Sequence, residues 1–468
     1  MRRRLMVIGL DCVPPRFVFE DWAEELPNLK RLTDTGIYGH LRSTTPPITV
    51  PAWATMVTSK DPGTLGFYGF RNRVDYSYER LAFVTSRWVR EKTVWDYLSA
   101  AGKTSVVIGV PPSYPPKPLQ GWMISCFLTP GPDSEYAYPP ELKREIEARF
   151  GEYRLDVRNF RTHDKAWLLK EIYALTEQRF DVARYLATTR DWDFFMFVDM
   201  GPDRIHHGFW QFMDPQHHRY EPGNPFEHSI REYYRFLDQK VGQLLDDLEG
   251  LGEPIDIMVV SDHGAKRMDG GIAINEWLIN EGYLTLKAYP DQVTRFTPDM
   301  VDWSRTRAWA SGGYYARIFL NVVGREPQGT ILPEDYERVR QELIDKLEAL
   351  GNEQGEPIGT RVYRPEELYT QTRNIPPDLI AILGDLYWRS VGSVGYGRGT
   401  VWVYENDTGP DDANHDWEGI FIMSGPSVKA RGPRQGLQIY DVGATILAYF
   451  GLEPEDELLG KPIAFEEA

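Results

Sequence analysis

With 468 residues and 42% hydrophobic composition, the chain is ordinary for a large α/β enzyme and can bury a sizeable core. Its formal net charge of −17, from 69 acidic and 52 basic residues, gives no electrostatic footprint for binding a nucleic-acid polymer or an anionic membrane. The two cysteines form neither a CxxC spacing nor a disulfide framework, and no stretch approaches the roughly 18 apolar residues of a membrane span, so we expect a cytoplasmic protein.

Short apolar runs alternate along the chain with segments of helical periodicity. The apolar runs predict buried strands at Leu5–Leu10, Ser105–Val110, Phe194–Val198, Ile255–Val260, Leu379–Leu383 and Ile420–Met423. The periodic segments predict helices at Thr93–Ala101, Asp164–Thr188, Glu227–Leu248, Pro333–Leu350 and Ile439–Phe450. This alternation predicts an α/β fold with a mostly parallel central sheet covered by helices on both faces.

Two segments interrupt the alternation and set the predicted domain organisation. Residues 283–323 combine prolines, tryptophans and a Gly-Gly-Tyr-Tyr sequence, which predicts an inserted cap or lid. The insertion divides the catalytic core into a first part, residues 1–282, and a second part, residues 324–468. Within the second part, residues 387–410 are rich in glycine and aromatic side chains, which predicts an irregular segment.

Acidic and imidazole side chains follow several predicted strands. Asp11 ends the first strand, Asp203 comes shortly after the third, and Asp262 and His263 follow the fourth. Because ligands of such sheets gather beyond the carboxyl ends of the strands, we expect these residues to converge on one edge. Asp11 is the most telling, since a carboxylate at the end of so apolar a strand is costly to bury without a partner or a metal ion. His415 precedes a predicted strand, so its loop would have to reach back to this edge.

Asp203 and His207 are four residues apart, which on a helical turn puts both side chains on one face, about 5–6 Å apart at Cβ. They could therefore hold one ion together. His206 is three residues from Asp203 and is the competing ligand, because an irregular turn could present it instead. The sequence leaves this choice open.

Thr49 lies at the start of a predicted helix. Pro51 suits the first helical position, which makes Val50 the predicted cap and puts Thr49 just outside the helix. The unsatisfied N–H groups and the positive end of the helix dipole favour an oxyanion there. A free threonine hydroxyl is a poor nucleophile near neutral pH, but a divalent ion can lower its pKa and orient it.

The motifs occur together and in one order. They are Asp11 at a strand end, Thr-x-Pro at 49–51, Pro-Asp-x-x-x-His at 202–207, Ser-Asp-His-Gly at 261–264, and His415 ahead of Gly419. As a set they resemble the alkaline phosphatase superfamily, and most closely its type I phosphodiesterase and nucleotide pyrophosphatase branch. The resemblance covers most of the chain and leaves the predicted cap unmatched.

The resemblance implies an alkaline phosphatase-like fold and two divalent metal ions. One ion would be held by Asp203, His207 and His415, and the other by Asp11, Asp262 and His263, with Thr49 beside it. Zinc is the usual metal of that branch and is compatible with imidazole and carboxylate ligands, while manganese and iron stay open.

The resemblance also implies a mechanism in which Thr49 attacks phosphorus and forms a covalent phosphothreonine, which water then hydrolyses. The backbone N–H of Val50 would help to bind a non-bridging phosphate oxygen. The leading interpretation is therefore a hydrolase of small phosphate esters of the phosphodiesterase or nucleotide pyrophosphatase type, with a nucleotide as one candidate substrate. A phosphomonoesterase, a phosphonate hydrolase and a metal-dependent phosphoryl-group transferase are the alternatives. The sequence does not determine the oligomeric state.

One departure from the branch bears on the choice of substrate. Diesterases of the branch use a side-chain amide opposite the metals, whereas monoesterases favour a cation that meets the extra phosphate charge. Arg71 and Asn72 offer both types side by side, and we expect one of them to face the phosphate, although their spacing does not align cleanly with the diesterase pattern. Five aromatic residues lie near predicted ligands in sequence and could form a platform for a nucleobase or an aryl leaving group, namely Trp53, Phe67, Tyr68, Phe70 and Trp210.

Overall fold

A ten-stranded mixed sheet forms the centre of the computed structural model, which describes residues 2–352, 354–397, 399–454 and 457–466. Residues 1, 353, 398, 455, 456, 467 and 468, which belong to the predicted core parts, lie outside the described residues, and residue 398 falls within the predicted irregular segment. The strands neighbour one another in the order Gly432–Pro433, Gly36–Arg42, Glu418–Ser424, Asp256–Val260, Leu5–Leu10, Phe194–Asp199, Ser105–Ile108, Gly121–Ile124 and Ala137–Tyr138, and Leu437–Gln438 also pairs with Gly36–Arg42.

Most neighbouring strands of this sheet are parallel. The exceptions are Glu418–Ser424, which is antiparallel to both of its neighbours, and the edge pair Gly121–Ile124 and Ala137–Tyr138. All six residues of the central strand Leu5–Leu10 are buried. Because side chains of a strand alternate between the two faces of its sheet, this burial requires cover on both faces. The predicted α/β fold with a mostly parallel central sheet is confirmed.

Helices supply that cover, and the predicted ones are present with nearly the predicted bounds. Thr93 and Asp164, predicted as the first helical residues, are instead the N-caps, whose side chains bond the first turn. The α-helices are Pro27–Thr35, Thr49–Thr58, Pro62–Leu65, Val94–Ala100, Glu141–Phe150, Lys165–Thr189, Gly201–Met213, Ser229–Gly250, Ile274–Asn280, Tyr336–Glu348, Pro365–Leu368 and Ile439–Tyr449. Among the described residues, no helix combines the length and the apolar character needed to cross a bilayer.

A second sheet of four antiparallel strands corrects one sequence prediction. The run Leu379–Leu383 was expected to be a strand of the central sheet, but Leu379–Ile382 pairs with Ala316–Leu320 and Arg361–Tyr363, and Ala308–Ser311 completes this sheet. These strands have their own hydrophobic cluster, separate from that of the central sheet. A short apolar run buried in either cluster has the same sequence pattern, so periodicity could not assign it.

The segment 283–323 supplies two strands of the second sheet, whereas the other two come from later in the chain. Whether this segment acts as a cap remains a prediction. Part of the segment 387–410 is regular, because Trp388–Val391 and Trp402–Val403 both pair with Gly270–Ala273. Two further pairs complete the strands, namely Arg71–Arg73 with Leu81–Phe83 and Gly264–Arg267 with Ala413–Asp416.

Candidate active site

Neighbouring strand ends bring three predicted ligands to one edge of the central sheet. Asp11 directly follows the strand Leu5–Leu10. Asp262 and His263 follow the adjacent parallel strand Asp256–Val260. Parallel neighbours end at the same edge, so these side chains meet although about 250 residues separate them in sequence.

Two further elements bring the remaining predicted ligands to this edge. Asp203 lies in the first turn of the helix Gly201–Met213 and His207 one turn later, so both face the same side. His415 comes from the far end of the chain on a short strand that pairs antiparallel with Gly264–Arg267. This pairing is the physical reason why a residue that precedes a core strand can reach the strand ends.

The first cluster of possible metal ligands contains Cys12, Asp203, His207 and His415, whose ligand atoms all lie within 4.8 Å of one another. His207 Nε2 lies 3.2 Å from Asp203 Oδ1, and His415 Nε2 lies 3.7 Å from the same oxygen. All four residues are buried. The thiol of Cys12 donates a hydrogen bond to the carbonyl oxygen of Gly264 at 3.3 Å.

The second cluster contains Asp11, Asp262 and His263, which are likewise buried. His263 Nε2 lies 3.2 Å from Asp262 Oδ2 and 3.9 Å from Asp11 Oδ1. The two clusters adjoin, because the rings of His263 and His415 stack with their centroids 3.8 Å apart. The residues therefore form one continuous centre with two groups of ligands.

Hydrogen bonds orient these ligands from outside and leave their inner atoms unpaired. The inner atoms Asp11 Oδ1, Asp203 Oδ1, His207 Nε2 and Asp262 Oδ2 are buried and have no hydrogen-bond partner. A buried polar atom without a partner is costly, so four of them in one place indicate that cations belong there. The outer atoms are bonded as follows: Asp11 Oδ2 to Trp53 Nε1 (2.6 Å), Asp262 Oδ1 to the N–H of Cys12 (3.2 Å), His207 Nδ1 to Asp411 Oδ1 (2.7 Å), and Asp203 Oδ2 to Arg204 Nη1.

The electrostatics of the centre lead to the same conclusion. Burial raises the pKa of Asp11 and Asp262 well above the ordinary value, and a neighbouring carboxylate adds to each shift, Asp203 at Asp11 and Asp11 at Asp262. Burial also acts to raise the pKa of Asp203, but the positive charges of His207 and Arg204 outweigh it and hold that pKa well below its usual range. Carboxylates this close in a dry site repel one another unless cations lie between them.

Thr49 lies beside the second cluster, with Oγ1 3.2 Å from His263 Nε2. The helix begins at Thr49, with Ile48 as its N-cap, and not at Pro51 as the sequence analysis predicted. Proline is tolerated throughout the first turn, where N–H groups have no intrahelical acceptor, so Pro51 could not fix the start. Val50 is in the first turn too, and its backbone N–H is one of these free donors, whereas its side chain is fully buried.

Comparison with known proteins identifies the family. A model of the family described as "Type I phosphodiesterase / nucleotide pyrophosphatase" matches residues 5–416, most of the chain. The chain belongs to this family. Among solved structures, human ectonucleotide pyrophosphatase / phosphodiesterase 5 (ENPP5, NPP5) is similar in fold, with a TM-score of 0.57 and 12% sequence identity, over 97% of this chain and 96% of that chain. No curated protein sequence matches the chain.

The protein is therefore a hydrolase of the type I phosphodiesterase / nucleotide pyrophosphatase family, in the alkaline phosphatase superfamily. Its two clusters of carboxylates and imidazoles could hold two metal ions, as the family's bimetallic site requires. Carboxylate oxygens and imidazole nitrogens suit zinc, manganese and iron alike, so the donor set fits such ions without selecting one.

The structure shows which of the two adjacent histidines, His206 and His207, belongs to the first cluster. His207 belongs to the first cluster, whereas His206 packs between aromatic rings, including those of Phe17 and Trp210. Its Nε2 lies 3.1 Å from the hydroxyl of Tyr234. Burial lowers the pKa of His206 to about 3. His206 is thus a core histidine, and His207 is the candidate ligand.

The structure also places Arg71 and Asn72 differently, although they are adjacent in sequence. Asn72 is buried, and its amide is fully engaged within its own turn, since Oδ1 accepts from the N–H of Tyr68 at 2.7 Å and Nδ2 donates to the carbonyl of Gly69 at 2.9 Å. The structure does not bring Asn72 to the active-site cavity, which corrects its predicted place opposite the metals. Arg71 does line this cavity of about 840 Å³, together with Thr49.

The predicted aromatic platform is corrected for four of its five residues. Trp53 is fully buried and does not line the cavity. Phe67, Tyr68 and Trp210 are at most 4% exposed and do not line the cavity. Each packs in a hydrophobic cluster, so their closeness in sequence to the ligands reflects shared elements and not a shared surface. Of the aromatic residues near the predicted ligands in sequence, Phe70 does line the cavity.

Asp411 is a residue of the candidate site that the sequence analysis did not identify. Its Oδ1 bonds His207 Nδ1, and its Oδ2 accepts from Arg161 at 3.0 Å and from the hydroxyl of Tyr314 at 3.1 Å. These contacts fix the ring of His207 with Nε2 toward the first cluster. Asp411 lies 204 positions after His207 and outside every predicted helix and strand, so no sequence pattern indicates that the two side chains meet.

We expect Asp411→Asn to weaken metal binding at the first cluster about 10- to 100-fold, the usual cost of losing an outer partner of a ligating histidine. Competition with a chromophoric chelator measures this affinity. The matched control is Asp407→Asn, since Asp407 lines the same cavity but bonds Gly392 and Ser393. Unchanged metal affinity in Asp411→Asn would show that Asp411 does not orient His207.

Proposed function

We propose that this protein is a two-metal phosphate-ester hydrolase that acts through Thr49, with phosphodiesters or nucleotide pyrophosphates as its preferred substrates. One observation carries the proposal: the unpaired inner atoms of two ligand clusters lie beside a hydroxyl at a helix N-terminus. Family membership supports the reaction class. Zinc is the proposed metal, because the donor set is compatible with it and zinc is the usual metal of the branch that the sequence resembles.

When bound, the two ions supply positive charge at the reacting phosphate and lower the pKa of the threonine hydroxyl. Asp203, His207 and His415 would hold one ion, and Asp11, Asp262 and His263 would hold the other, with Thr49 beside it. The outer hydrogen bonds from Trp53, Asp411 and Arg204 keep these ligands oriented before substrate arrives. Little reorganisation is then needed during the reaction.

Thr49 carries the covalent step. Its Oγ1 attacks phosphorus, a bond from that oxygen to phosphorus forms, and the bond to the leaving-group oxygen breaks. The leaving alcohol or phosphate takes up the proton that the Thr49 hydroxyl gives up. Water then attacks phosphorus, gives a proton back to Thr49 Oγ1 and releases the phosphorylated product. The N–H of Val50 and the positive end of the helix beginning at Thr49 stabilise the non-bridging oxygens.

The shape of the cavity supports a small ester with an apolar or aromatic part. Its volume of about 840 Å³ is in the range of ordinary small-molecule sites, and aromatic side chains line it beside Thr49. Phe70, Phe127, Phe160 and Trp309 are among these. A nucleotide, whose base can pack on such rings, fits this description.

A second candidate function is supported by one specific observation. The side-chain amide of Asn72 is engaged in its turn, while Arg71 lines the cavity. A guanidinium suits the additional negative charge of a phosphate monoester, so a phosphomonoesterase activity is the alternative.

A paired assay distinguishes the two candidates. The metal-reconstituted protein is given bis(para-nitrophenyl) phosphate and para-nitrophenyl phosphate at equal concentration, and the release of nitrophenol gives kcat/KM for each. We expect the diester to be hydrolysed at least 10-fold more efficiently, since the family is one of diesterases. A preference for the monoester would favour the alternative, and no hydrolysis of either ester would contradict the proposed function.

A further inference from the structure

Arginine side chains surround the active-site cavity of this acidic protein. The cavity is lined by seven arginines but by only three aspartates, although the chain as a whole carries a net charge of −17. Four of the arginines form ion pairs with carboxylates, and two of them, Arg161 and Arg389, share Asp411. The pairs are Arg73 with Glu326 (3.1 Å), Arg161 with Asp411 (3.0 Å), Arg204 with Asp156 (2.7 Å) and Arg389 with Asp411 (3.4 Å).

The other three, Arg71, Arg295 and Arg317, form what we call the arginine triad. Within the described ranges, no carboxylate forms an ion pair with any of them. Burial lowers the pKa of Arg71, and the positive charges of Arg295 and Arg317 lower it further, so both lie close enough to Arg71 to repel its guanidinium group. Three guanidinium groups without a carboxylate partner favour the binding of an anion.

Local contacts hold two of these guanidinium groups in place. Arg71 lies over the ring of Phe83, 4.3 Å from its centroid. Arg317 donates through Nη1 to the backbone carbonyl of Arg71 and through Nη2 to Ser311 Oγ at 3.1 Å. A guanidinium has five N–H donors, so Arg317 keeps three for a ligand. Because these side chains are already ordered, binding an anion costs little additional entropy.

The triad and the metal ligands come from different parts of the fold. Arg317 lies on the strand Ala316–Leu320 of the second sheet, and Arg71 lies on the short strand Arg71–Arg73. The metal ligands lie at the edge of the central sheet, yet both groups border the same cavity. A single molecule that fills the cavity can therefore contact both.

We propose that the arginine triad binds a second phosphate group of the substrate, remote from the phosphorus that Thr49 attacks. This inference rests on the proposed function and narrows the substrate class to phosphate esters that carry a further phosphate. A phosphate dianion matches three uncompensated guanidinium groups better than a carboxylate does, because it brings two charges and three oxygens for bidentate pairing. The remote contact also supplies binding energy that orients the reacting group.

Binding to the zinc-loaded Thr49→Ala variant tests the inference without turnover. The probes are α,ω-alkanediol bisphosphates with two to six carbons and the alkyl monophosphates of the same lengths, with affinity measured by calorimetry. We expect at least one bisphosphate to bind about 10- to 100-fold more tightly than its monophosphate, the range for one net hydrogen bond to a charged group. Because the measurement needs no reaction, failure of Thr49 as a nucleophile would not affect it.

Variants of Arg295 test whether the arginine triad is responsible for the tighter binding of the bisphosphate. Arg295→Gln, in the same Thr49→Ala background, is expected to lower the bisphosphate affinity about 10-fold more than the monophosphate affinity, and Arg295→Lys should have an intermediate effect. Arg71→Gln is a second triad variant if Arg295→Gln folds poorly. Arg305→Gln is the matched control, since Arg305 is an exposed arginine that does not line the cavity, and it should leave both affinities unchanged.

Three outcomes would overturn the inference. Equal weakening of both probe types by Arg295→Gln would mean that the triad contacts the reacting phosphate itself. No advantage of any bisphosphate over its monophosphate would mean that the triad binds no second anion. If an alkyl phosphate that ends in a carboxylate bound as tightly as the bisphosphate of the same length, the second group would not be specifically a phosphate.

Discussion

Replacing Thr49 with alanine is expected to reduce turnover on the order of 10⁴-fold or more while leaving the metal content nearly unchanged. The hydroxyl forms the bond to phosphorus, so its loss removes the covalent step. Thr49 lies 3.2 Å from His263 Nε2, but the carboxylates and imidazoles of both clusters remain when it is removed. The assay is kcat/KM for bis(para-nitrophenyl) phosphate, with metal content determined by elemental mass spectrometry.

Thr49→Ser is the matched control, because it keeps a hydroxyl at the same place and loses a methyl group. We expect it to retain measurable activity and to form a phosphoserine that acid quenching traps for peptide mass spectrometry, as the native enzyme forms a phosphothreonine. Activity of Thr49→Ala close to that of the native protein would remove Thr49 from its proposed role. Loss of bound metal in Thr49→Ala would instead assign it a ligand role.

The central sheet and the two ligand clusters could be predicted from the sequence because short, local sequence patterns indicate them. The run Leu5–Leu10 is apolar throughout, and burial on both faces of a parallel sheet requires that pattern. A polar residue such as Asp11, directly after such a run, marks the strand end at which ligands gather. The helical spacing of Asp203 and His207 likewise needs no knowledge of distant contacts.

The substrate side of the cavity could not be predicted from the sequence, since it depends on contacts between distant segments. Arg317 and Arg71 lie 246 positions apart and meet through a side-chain bond to a backbone carbonyl, which no periodicity encodes. Phe67 and Tyr68 precede Arg71 closely, yet they are buried because their turn faces hydrophobic clusters. Cys12, adjacent to Asp11, has no sequence pattern that predicts a metal ligand, although its thiol lies in the first cluster.

Removing the metal ions is expected to abolish activity and to destabilise the fold. A site saturated at about 1,000 times its Kd contributes about 4 kcal/mol to the free energy of unfolding, which chelation would remove. Without ions, it is unfavourable to keep the buried Asp11 and Asp262 charged beside Asp203, which is why burial and the neighbouring carboxylates raise their pKa. Dialysis against a chelator, followed by thermal unfolding and the diester assay before and after zinc is restored, measures both effects.

Single variants then assign one ion to each cluster. The native protein should bind two ions per chain, whereas His207→Ala and His263→Ala should each bind one tightly, because each removes a ligand from a different cluster. Both variants should be inactive, since neither ion alone balances the charge at the attacking and leaving oxygens. His40→Ala is the control, as His40 is exposed and bonds Glu418 away from both clusters. One ion per native chain, or activity that survives complete chelation, would contradict a two-metal mechanism and leave the unpaired buried carboxylates of this centre without their proposed partners.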